Sequence, residues 1–581
     1  MIFPRNLSSK IKRNLRKESL PSQAWDKLVP RAIRSRVGRY VATRGTGAPE
    51  YLQTLDRIGA ELDKYSVLAQ PKKPLKVLFG PSFCIYPPCF VHDRILSYAL
   101  RLRGAEIIPV YCDAVQSIEC NYFGGVWKGQ SFDESCKNCV NQSQKLWGDN
   151  PIPALRLSQY LQGGEIEEIS IKTERLGTEE WVNYSEDNLP FGSWARDILV
   201  NNYVVGDYHL IHGYHSLGLA HLRNLLLLKI VYERTISDVK PDRVIANDSY
   251  YGMWAILQKL CERRGIPFYS HWMGGRQNAW CYAYNDAAMN LDFSKPWSKF
   301  SQIPLSEQQR IKVQNWLEGR SAGKEMILDT ASLGKHQTDG FDLSRIVPDK
   351  PTALLAANVI WDLAALNKQV IFADMIDWIA ETINWFAAHP EFQLIIKPHP
   401  GELNPAIPAT EERVEVALSR KRVHLPDNVF LLSPRVGLTV YQLLPLVRVG
   451  LVHTTTVGME MAAKGLPVIT TGRSPYRGFG FTIDPSTKQE YFRFLGETLQ
   501  EKKSLELDTQ IDLAYEFVMF YHYHYYTKID IMDYTWGETP KLKVKSAADL
   551  LPGKNRFLDY VVESIMSGLP IVSEDRWPPE S

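Results

Sequence analysis

Short apolar runs alternate along the chain with longer segments in which apolar residues recur with a helical period. Residues 76–81 and 106–111 have the pattern of buried strands, and residues 93–103 between them have the pattern of a helix. Residues 243–246 and 266–271 repeat the strand pattern on either side of a second apolar helix. Strands that alternate with helices in this way predict a parallel sheet covered by helices.

A second alternating series begins at residue 352, after a polar stretch of residues 320–351 whose Gly and Pro content is typical of a linker. Its predicted strands span residues 352–357, 392–396, 429–432, 449–452 and 467–470, and its predicted helices span residues 372–388, 439–444 and 458–464. Two successive series predict an α/β protein with two doubly wound, Rossmann-like domains that face a cleft. Ligands of such sheets bind beyond the carboxyl ends of the strands, so functional residues are expected there.

These patterns divide the chain into four parts. The parts are a basic N-terminal segment (residues 1–70), a first Rossmann-like domain (71–330), a second Rossmann-like domain (345–510) and C-terminal helices (511–581). In the last part, His522 and His524 lie in an aromatic run that suggests zinc at first sight. Residues two apart do not share a helix face, so we interpret this run as a packing helix.

The composition is that of an ordinary globular protein, with 581 residues, 45% hydrophobic and 23% charged. The net charge of +2 is too balanced for a dedicated nucleic-acid binder. No apolar stretch reaches the about 18 residues of a membrane span, and the start of the sequence lacks the apolar core of a signal peptide. We therefore expect a cytoplasmic protein that does not bind nucleic acid.

Positive charge is concentrated at the N-terminus. Residues 1–50 contain 12 Lys or Arg and three acidic residues, a balance of +9, so the remaining residues carry −7. Apolar residues interleave with the basic ones, and such a segment can form short amphipathic helices that lie on an anionic membrane surface. We expect either peripheral association of residues 1–50 with the cytoplasmic face of the inner membrane or a solvated leader.

Four of the eight cysteines are close in sequence: Cys112, Cys120, Cys136 and Cys139. The two-residue spacing of the last pair allows both thiolates to reach one structural zinc ion, and the other two would complete a tetrahedral site. Buried unpaired thiols and a redox pair are the alternative interpretations. A disulfide framework is not expected in a cytoplasmic protein with so few cysteines.

The clearest candidate chemistry follows predicted strands of the second domain. Lys397 and His399 come directly after one strand, in the sequence Lys-Pro-His-Pro, and the two prolines fix the backbone around them. A cation and an imidazole at a strand end suit a phosphate group. The alternative is a proline-rich turn with an incidental histidine.

A run of hydroxyl side chains follows another strand of that domain. Thr454, Thr455 and Thr456 stand at a predicted helix start, where hydroxyls and free N–H groups form an anion site, and His453 directly precedes them. Glu460 follows in the first part of this helix. Its carboxylate would accept hydrogen bonds from ribose hydroxyls, or it simply compensates the helix dipole.

A glycine-rich loop, residues 472–482, follows the next strand. Glycines allow the backbone of such a loop to approach a ligand closely. We expect the side chain of Arg473, Tyr476 or Arg477 to reach a bound ligand from this loop.

Together these motifs resemble the capsule polysaccharide synthesis family, which includes bacterial β-Kdo transferases with the GT-B fold. The resemblance covers residues 350–485, whereas the first domain agrees only in architecture. It implies a glycosyltransferase that moves a sugar from a nucleotide-sugar donor to an acceptor. That acceptor is a growing capsular polysaccharide of the cell surface or a lipid-linked glycan. The implied donor is CMP-Kdo or another CMP- or UDP-linked sugar.

The resemblance also assigns roles to residues. It places Lys397 and His399 at the family's His-Pro motif. It places the threonine run at the motif that contacts the donor phosphate, and Glu460 at the position that faces the nucleoside. The nucleotide-site motifs are similar to those of bacterial sialyltransferases as well, but the paired acidic motif of those enzymes has no counterpart here, so the acceptor base stays unassigned.

The first domain has to supply that base, a carboxylate or histidine within hydrogen-bond reach of the attacking hydroxyl. Asp248, directly after residues 243–246, is the first candidate; His271 is the second and Asp93 the third. The alternative for each is a structural role, as a helix cap or as a satisfied core histidine. No Asp-x-Asp stands at a suitable strand end, so we expect no catalytic metal ion.

Two other classes of function compete with a glycosyltransferase. A polyol-phosphate transferase or a sugar-nucleotide epimerase would use a similar two-domain fold and phosphate site. A non-catalytic partner in polysaccharide assembly or export would have a degenerate site, and the intact motif residues of the second domain argue against that hypothesis.

Overall fold

The computed structural model describes residues 49–66, 73–82, 84, 86–116, 120, 132–250, 252–324, 339–362, 366–403, 408–501, 507–534 and 539–581. Two largely parallel sheets follow one another along the chain, and helices connect their strands. The predicted fold class, α/β with two Rossmann-like sheets, is therefore confirmed.

The first sheet has six strands in the order β3-β2-β1-β4-β5-β6. These strands are β1 (Lys76–Phe79), β2 (Glu106–Tyr111), β3 (Leu155–Arg156), β4 (Arg243–Asn247), β5 (Phe268–Met273) and β6 (Trp280–Tyr284). Neighbouring strands are parallel except that β6 runs antiparallel to β5.

The second sheet has five parallel strands in the order β11-β10-β7-β8-β9. These strands are β7 (Thr352–Ala356), β8 (Gln393–Lys397), β9 (Val429–Leu431), β10 (Val449–Val452) and β11 (Val468–Thr470). Every residue of β7 and β8 is buried, as expected of central strands covered on both faces. A small hairpin, β12 (Met532–Asp533) and β13 (Lys541–Leu542), lies in the C-terminal part.

The two sheets are wound in the same way, and this winding locates the ligand crevice. In the first sheet β1 lies between β2 and β4, and in the second β7 lies between β8 and β10. The chain leaves β1 and its neighbour β4 toward opposite sides of the first sheet, and it leaves β7 and β10 in the same way in the second. A crevice therefore opens at the carboxyl ends of each pair. Asp248 directly follows β4, and His453 with the threonine run directly follows β10.

Helices surround both sheets. The first half contains α1 (Glu50–Glu61), α2 (Asp63–Ser66), α3 (Pro87–Arg101), α4 (Phe132–Leu146), α5 (Glu165–Glu174), α6 (Phe191–Tyr203), α7 (Tyr214–Val239), α8 (Gly252–Arg263), α9 (Ser294–Phe300) and α10 (Glu307–Ser321). The second half and the C-terminal part contain α11 (Met375–Ala387), α12 (Val414–Arg420), α13 (Val440–Leu443), α14 (Val457–Ala463), α15 (Lys488–Leu499), α16 (Leu507–Met519) and α17 (Arg556–Ser567).

Successive side chains of a central strand point to opposite faces of the sheet, and this explains why helices cover both faces. Val77 and Phe79 enter one hydrophobic cluster, which includes buried residues of α3, while Leu78 enters another, which includes α7. Side chains of a strand point to opposite faces in turn, so an entirely apolar strand needs helices on both sides.

The C-terminal part returns to the first sheet. The Tyr269 hydroxyl on β5 donates to the carbonyl oxygens of Ser564 (3.1 Å) and Leu569 (3.0 Å) at the end of α17. Trp280 and Thr527 exchange two backbone hydrogen bonds, of 2.9 and 2.8 Å. These contacts bind the last part of the chain to the first half.

The aromatic run near residue 520 is a packing element, as its pattern predicts. Residues Phe520–Tyr525 are all buried, but they form a π-helix that continues α16 rather than an α-helical turn. The His522 ring packs on Trp316 of α10, with 4.0 Å between the ring centroids, and His524 Nδ1 lies 2.8 Å from the Pro578 carbonyl oxygen. Because that carbonyl can only accept, His524 Nδ1 is the donor.

The predicted N-terminal segment is only partly described. Residues 1–48, which hold nearly all of its basic charge, lie outside the described residues. Residues 50–66 form α1 and α2, and Leu55 and Ile58 of α1 are completely buried. Arg94 of α3 donates to Asp56 of α1 (2.6 Å). In the described ranges, no helix is both long enough and apolar enough to cross a membrane.

Candidate functional site

Lys397 is a buried cation at the carboxyl end of β8. Only 5% of the residue is exposed, and its ammonium makes no hydrogen bond or ion pair with the residues that the structure describes. Burial lowers the pKa of Lys397 from 10.5 to about 8, against a smaller, opposite effect of Glu402. A buried charge without a partner is costly, so this position suits an anionic ligand.

Glu402 does not neutralise Lys397. Its Oε1 accepts a hydrogen bond from the Val414 N–H (2.9 Å), and burial raises the pKa of Glu402 to about 7. At neutral pH this carboxyl is therefore only partly ionised, and the neighbourhood of Lys397 keeps a positive balance.

His399 supplies a neutral donor beside that cation. Its Nδ1 accepts a hydrogen bond from the Gly401 N–H (3.0 Å), so the proton of the neutral ring is on Nε2. Burial and the charges of Lys397 and Arg320 lower the pKa of His399 to about 4. At physiological pH the ring can therefore donate one hydrogen bond from Nε2 to a phosphate oxygen without carrying a charge.

The threonine run after β10 offers hydroxyls at the crevice of the second sheet. The hydroxyls of Thr455 and Thr456 make no hydrogen bond with any described residue. Tyr476 fixes the backbone beneath them, since its hydroxyl donates to the Thr455 carbonyl (2.6 Å). A Cβ at Gly458 would collide with this tyrosine hydroxyl, so glycine is required there for the close approach. Tyr476 is completely buried and positions the run rather than reaching into the crevice.

His453 and Thr454 anchor the start of the run. The His453 ring is buried, lies 3.3 Å from the Thr471 hydroxyl through Nδ1 and stacks on Trp378 with 5.9 Å between centroids. The Thr454 N–H donates to Asn358 Oδ1 (3.3 Å), which follows β7. These contacts tie the two central strands together at their carboxyl ends, so His453 and Thr454 support the crevice.

Glu460 is held by two side chains that the sequence patterns did not single out. Its Oε1 lies 3.2 Å from Arg320 Nη2, its Oε2 accepts a hydrogen bond from Tyr441, and 1% of the residue is exposed. A carboxylate has about four acceptor positions, and these two contacts engage both of its oxygens. The sequence did not mark Arg320 as a functional residue, because it is the first residue of the predicted linker. In the structure it belongs to α10.

Asp248 stands at the crevice of the first sheet. It is 3% exposed and accepts a hydrogen bond from the Met289 N–H (3.2 Å). Burial, reinforced by Asp286, raises the pKa of Asp248 to about 7. A carboxylate with a pKa near the working pH is well matched to general base catalysis.

A loop of the second half contacts Tyr250, two residues after Asp248, across the boundary between the halves. The Lys368 ammonium lies 5.2 Å from the centre of the Tyr250 ring, and the Tyr250 hydroxyl donates to the Leu366 carbonyl (3.2 Å). Burial and Arg473 lower the pKa of Lys368 to about 8, while Asp286 and Asp248 oppose this shift. Lys368 is therefore a charged neighbour of Asp248. No strand or turn pattern in the sequence marks it as a functional residue.

Arg473 belongs to the same boundary. Its guanidinium donates to the Asn367 carbonyl, its N–H donates to the Lys368 carbonyl (2.8 Å), and the side chain is exposed. Asn367 in turn donates to Asp197 of α6 (2.7 Å). The structure therefore places Arg473 against the loop of residues 366–369 and near the first half.

The other two candidate bases lie against each other. His271 Nε2 on β5 is 2.6 Å from Asp93 Oδ1 on α3, and both side chains are almost completely buried. The Ser82 hydroxyl also donates to Asp93. Burial disfavours the ionised form of Asp93, but the charges of His271 and His92 outweigh it and lower the pKa of Asp93 below its usual value. Asp93 thus lies against His271 and accepts a hydrogen bond from Ser82, whereas Asp248 has no side-chain partner among the described residues.

The four clustered cysteines are all described and all reduced. Cys139 lies near enough to the other three for their charges to act on it, and burial raises its pKa well above the usual value. Among the described residues, no set of three metal-ligating atoms within 4.8 Å includes a cysteine. The structural-zinc hypothesis for these thiols stays a prediction.

The chain matches no protein-family model, and no curated protein is significantly similar to it. Solved structures with partial similarity include a KpsC β-Kdo 2,4-transferase from Thermosulfurimonas dismutans, with 12% identity, a TM-score of 0.29 and coverage of 49% of this chain and 80% of that one. A UDP-GlcNAc 2-epimerase from Neisseria meningitidis bound to UDP-GlcNAc has 12% identity and a TM-score of 0.22, covering 77% and 98%. MnaA of S. aureus with UDP has 13% identity and a TM-score of 0.23, covering 76% and 91%. Similarity at this level does not assign a function to this chain.

Proposed function

We propose that the protein is a glycosyltransferase that binds a nucleotide sugar in the second half and transfers the sugar to a hydroxyl group activated by Asp248. The observation that carries this proposal is the buried residue Lys397, whose ammonium has no counter-ion among the described residues and which lies at the carboxyl end of a central strand. Phosphate is the ligand whose charge and hydrogen-bonding capacity match Lys397 and its neighbours.

The donor phosphate is bound by three kinds of group. The Lys397 ammonium supplies charge, His399 Nε2 supplies a neutral donor, and the hydroxyls of Thr455 and Thr456 supply further donors. Charge-assisted hydrogen bonds of this type are the strong ones, and they strengthen as negative charge develops on the departing nucleotide phosphate. In this proposal Glu460, held by Arg320 and Tyr441, accepts hydrogen bonds from the ribose.

In the transfer step, the acceptor oxygen attacks the anomeric carbon of the donor sugar as the bond from that carbon to the phosphate oxygen breaks. The electron pair of the broken bond leaves with the nucleotide, where Lys397 and His399 stabilise it. The acceptor proton passes to the carboxylate of Asp248, which is consistent with inversion at the anomeric carbon. The cations and donors of this chain accomplish the charge stabilisation, so we expect no catalytic metal ion.

The motif resemblance supports a more specific proposal about the substrates. The donor is a CMP- or UDP-linked sugar, CMP-Kdo among them, and the acceptor is a capsular polysaccharide or a lipid-linked glycan. We propose further that the acceptor lies at the cytoplasmic face of the membrane, where the basic residues 1–50 hold the enzyme as a peripheral protein.

Calorimetric titration with CMP, CDP, UDP and GDP tests the nucleotide site without knowledge of the acceptor. We expect one of them to bind, and Lys397→Met to abolish that binding. The matched control is Lys488→Met, which removes the same charge from an exposed lysine already paired with Glu381. Equal affinities in the two variants, or no binding to the wild-type protein, would contradict the proposal.

A further inference from the structure

A second group of chemically active side chains lies outside the proposed nucleotide site. His92 and Asp93 on α3 and His271 on β5 each bring one potential ligand atom to within 4.8 Å of the other two. The exposed fractions of the three side chains are 1%, 2% and 1%. The nucleotide site described above does not use this group.

Two imidazole nitrogens converge on one carboxylate oxygen. Asp93 Oδ1 lies 2.6 Å from His271 Nε2 and 3.5 Å from His92 Nδ1, and the two rings are 4.2 Å apart between centroids. His271 Nε2 is close to Oδ1 but is not aligned with it as a hydrogen-bond donor, and the buried His271 Nδ1 makes no hydrogen bond with the described residues. A buried imidazole whose nitrogens make no directed hydrogen bond calls for another partner.

The surroundings of the group have the form of an outer coordination sphere. His92 Nε2, the nitrogen that faces away from Asp93, lies 2.6 Å from the Tyr282 hydroxyl. The Ser82 hydroxyl donates to Asp93 Oδ2. Metal-binding histidines and carboxylates are typically oriented by such hydrogen bonds to their remaining atoms.

We propose that His92, Asp93 and His271 bind one divalent transition metal ion, with Zn²⁺ the best chemical match. Two imidazoles and one carboxylate are ligands that zinc favours, and a set of three leaves one coordination position open. Because the ligands come from α3 and β5, the ion would cross-link a helix to the first sheet close to the strand ends. This proposal is independent of the proposed transferase activity.

The test is metal titration of the purified full-length protein after treatment with a chelator. In the Cys136→Ser, Cys139→Ser background, where the cysteine pair cannot contribute, we expect calorimetry to show one Zn²⁺ per chain, with no binding once His92→Gln or His271→Gln is added. His389→Gln is the matched control, since that histidine lies in the second half and is bonded to the Trp385 carbonyl (2.7 Å). The more conservative Tyr282→Phe should keep the ligands and weaken Zn²⁺ binding about 10- to 100-fold.

Two further measurements separate this site from the cysteine cluster. Co²⁺ bound to imidazole and carboxylate lacks the intense thiolate-to-metal absorption that cysteine ligands give, so the wild-type Co²⁺ spectrum identifies the ligand type even if a variant fails to fold. The double variant Cys136→Ser and Cys139→Ser should still bind the ion. Absence of binding in the wild-type protein, a thiolate spectrum as the sole signal, or unchanged affinity in Tyr282→Phe together with His92→Gln would overturn the proposal.

Discussion

Arg320 and Glu460 form a buried ion pair, with 3.2 Å between Nη2 and Oε1. The pair joins α10, at the end of the first half, to α14, which follows the threonine run. Tyr441 donates to the other carboxylate oxygen, so both oxygens of the Glu460 carboxylate are held in place. The two halves are thereby coupled through the residue that we place opposite the ribose.

Arg320→Met should lower the free energy of unfolding by about 3–5 kcal/mol, because it leaves the carboxylate of Glu460 buried without a cation. Adding Glu460→Gln removes that charge and should recover most of the loss. Urea unfolding of the two single variants and the double variant measures the coupling. A double variant no more stable than Arg320→Met would show that the ion pair does not carry this energy.

Lys397→Met should stabilise the free protein while it abolishes nucleotide binding. The pKa of Lys397 is lowered from 10.5 to about 8 on folding, so the charged form is disfavoured in the folded state. The cost is fully present below about pH 8 and fades as the pH rises toward 10.5, where the unfolded chain also loses the proton. At pH 7 we expect a gain of about 1–3 kcal/mol in the free energy of unfolding.

Thermal or urea unfolding at pH 7 and pH 10 checks this prediction. The gain in Lys397→Met should shrink at the higher pH. Lys488→Met, which removes an exposed charge, should show no gain at either pH. A Lys397→Met variant that is less stable than the wild type at pH 7 would mean that the ammonium has an internal counter-ion.

Nucleotide-sugar affinity should fall as the pH rises through about 8. The phosphate binds the protonated ammonium of Lys397, so affinity is highest below the pKa and decreases by up to about tenfold per pH unit above it. Ionisation of Glu402, whose pKa is raised to about 7 by burial, acts in the same direction. His399 is already neutral over this range and does not contribute.

Lys397→Arg is the control for the pH profile, because a guanidinium stays charged throughout this range. Its affinity for the same nucleotide sugar should lack the decrease above pH 8 and keep only the smaller change that Glu402 causes. Identical profiles for wild type and Lys397→Arg would remove Lys397 from the binding site.

Much of the fold could be predicted from the sequence, because apolar runs identify central strands directly. The predicted strand at residues 352–357 is β7 (Thr352–Ala356), and the predicted strand at 449–452 is β10. The placement of Lys397 and the threonine run at strand ends follows from the same pattern. The predicted ends of helices differ more from the structure than those of strands. Helix α3, for example, begins at Pro87 rather than at residue 93.

Contacts between distant segments could not be predicted in this way. Arg320 contacts Glu460 over a separation of 140 residues, and the charges of Lys368 and Asp248 interact although Lys368 lies in a loop without a motif. The pairing of Asp93 with His271 joins a helix to a strand that is distant in sequence. Local patterns of polarity contain no signal for such pairs, so the sequence ranked Asp248, His271 and Asp93 as candidates for the base without showing that the last two lie together.

Asp248→Asn should lower turnover about 10²–10⁴-fold, the usual contribution of a general base, while nucleotide affinity changes little. In the wild-type enzyme, kcat at saturating donor should rise with pH and level off above about 7, since the base acts only when ionised and burial raises its pKa to that value. Steady-state kinetics over pH 5–9 measure both. Loss of turnover in His271→Ala or Asp93→Asn with normal turnover in Asp248→Asn would transfer the role to that pair.

The most direct measurement of the central claim is release of nucleotide from CMP-, UDP-, GDP- and CDP-linked sugars, with and without a surface polysaccharide or glycolipid acceptor. We predict that one donor class releases its nucleotide, that release requires the acceptor, and that Lys397→Met and Asp248→Asn abolish it while Lys488→Met does not. A donor whose sugar is altered at the same rate without acceptor would indicate an epimerase, and a protein that neither binds nor consumes any donor would contradict the account.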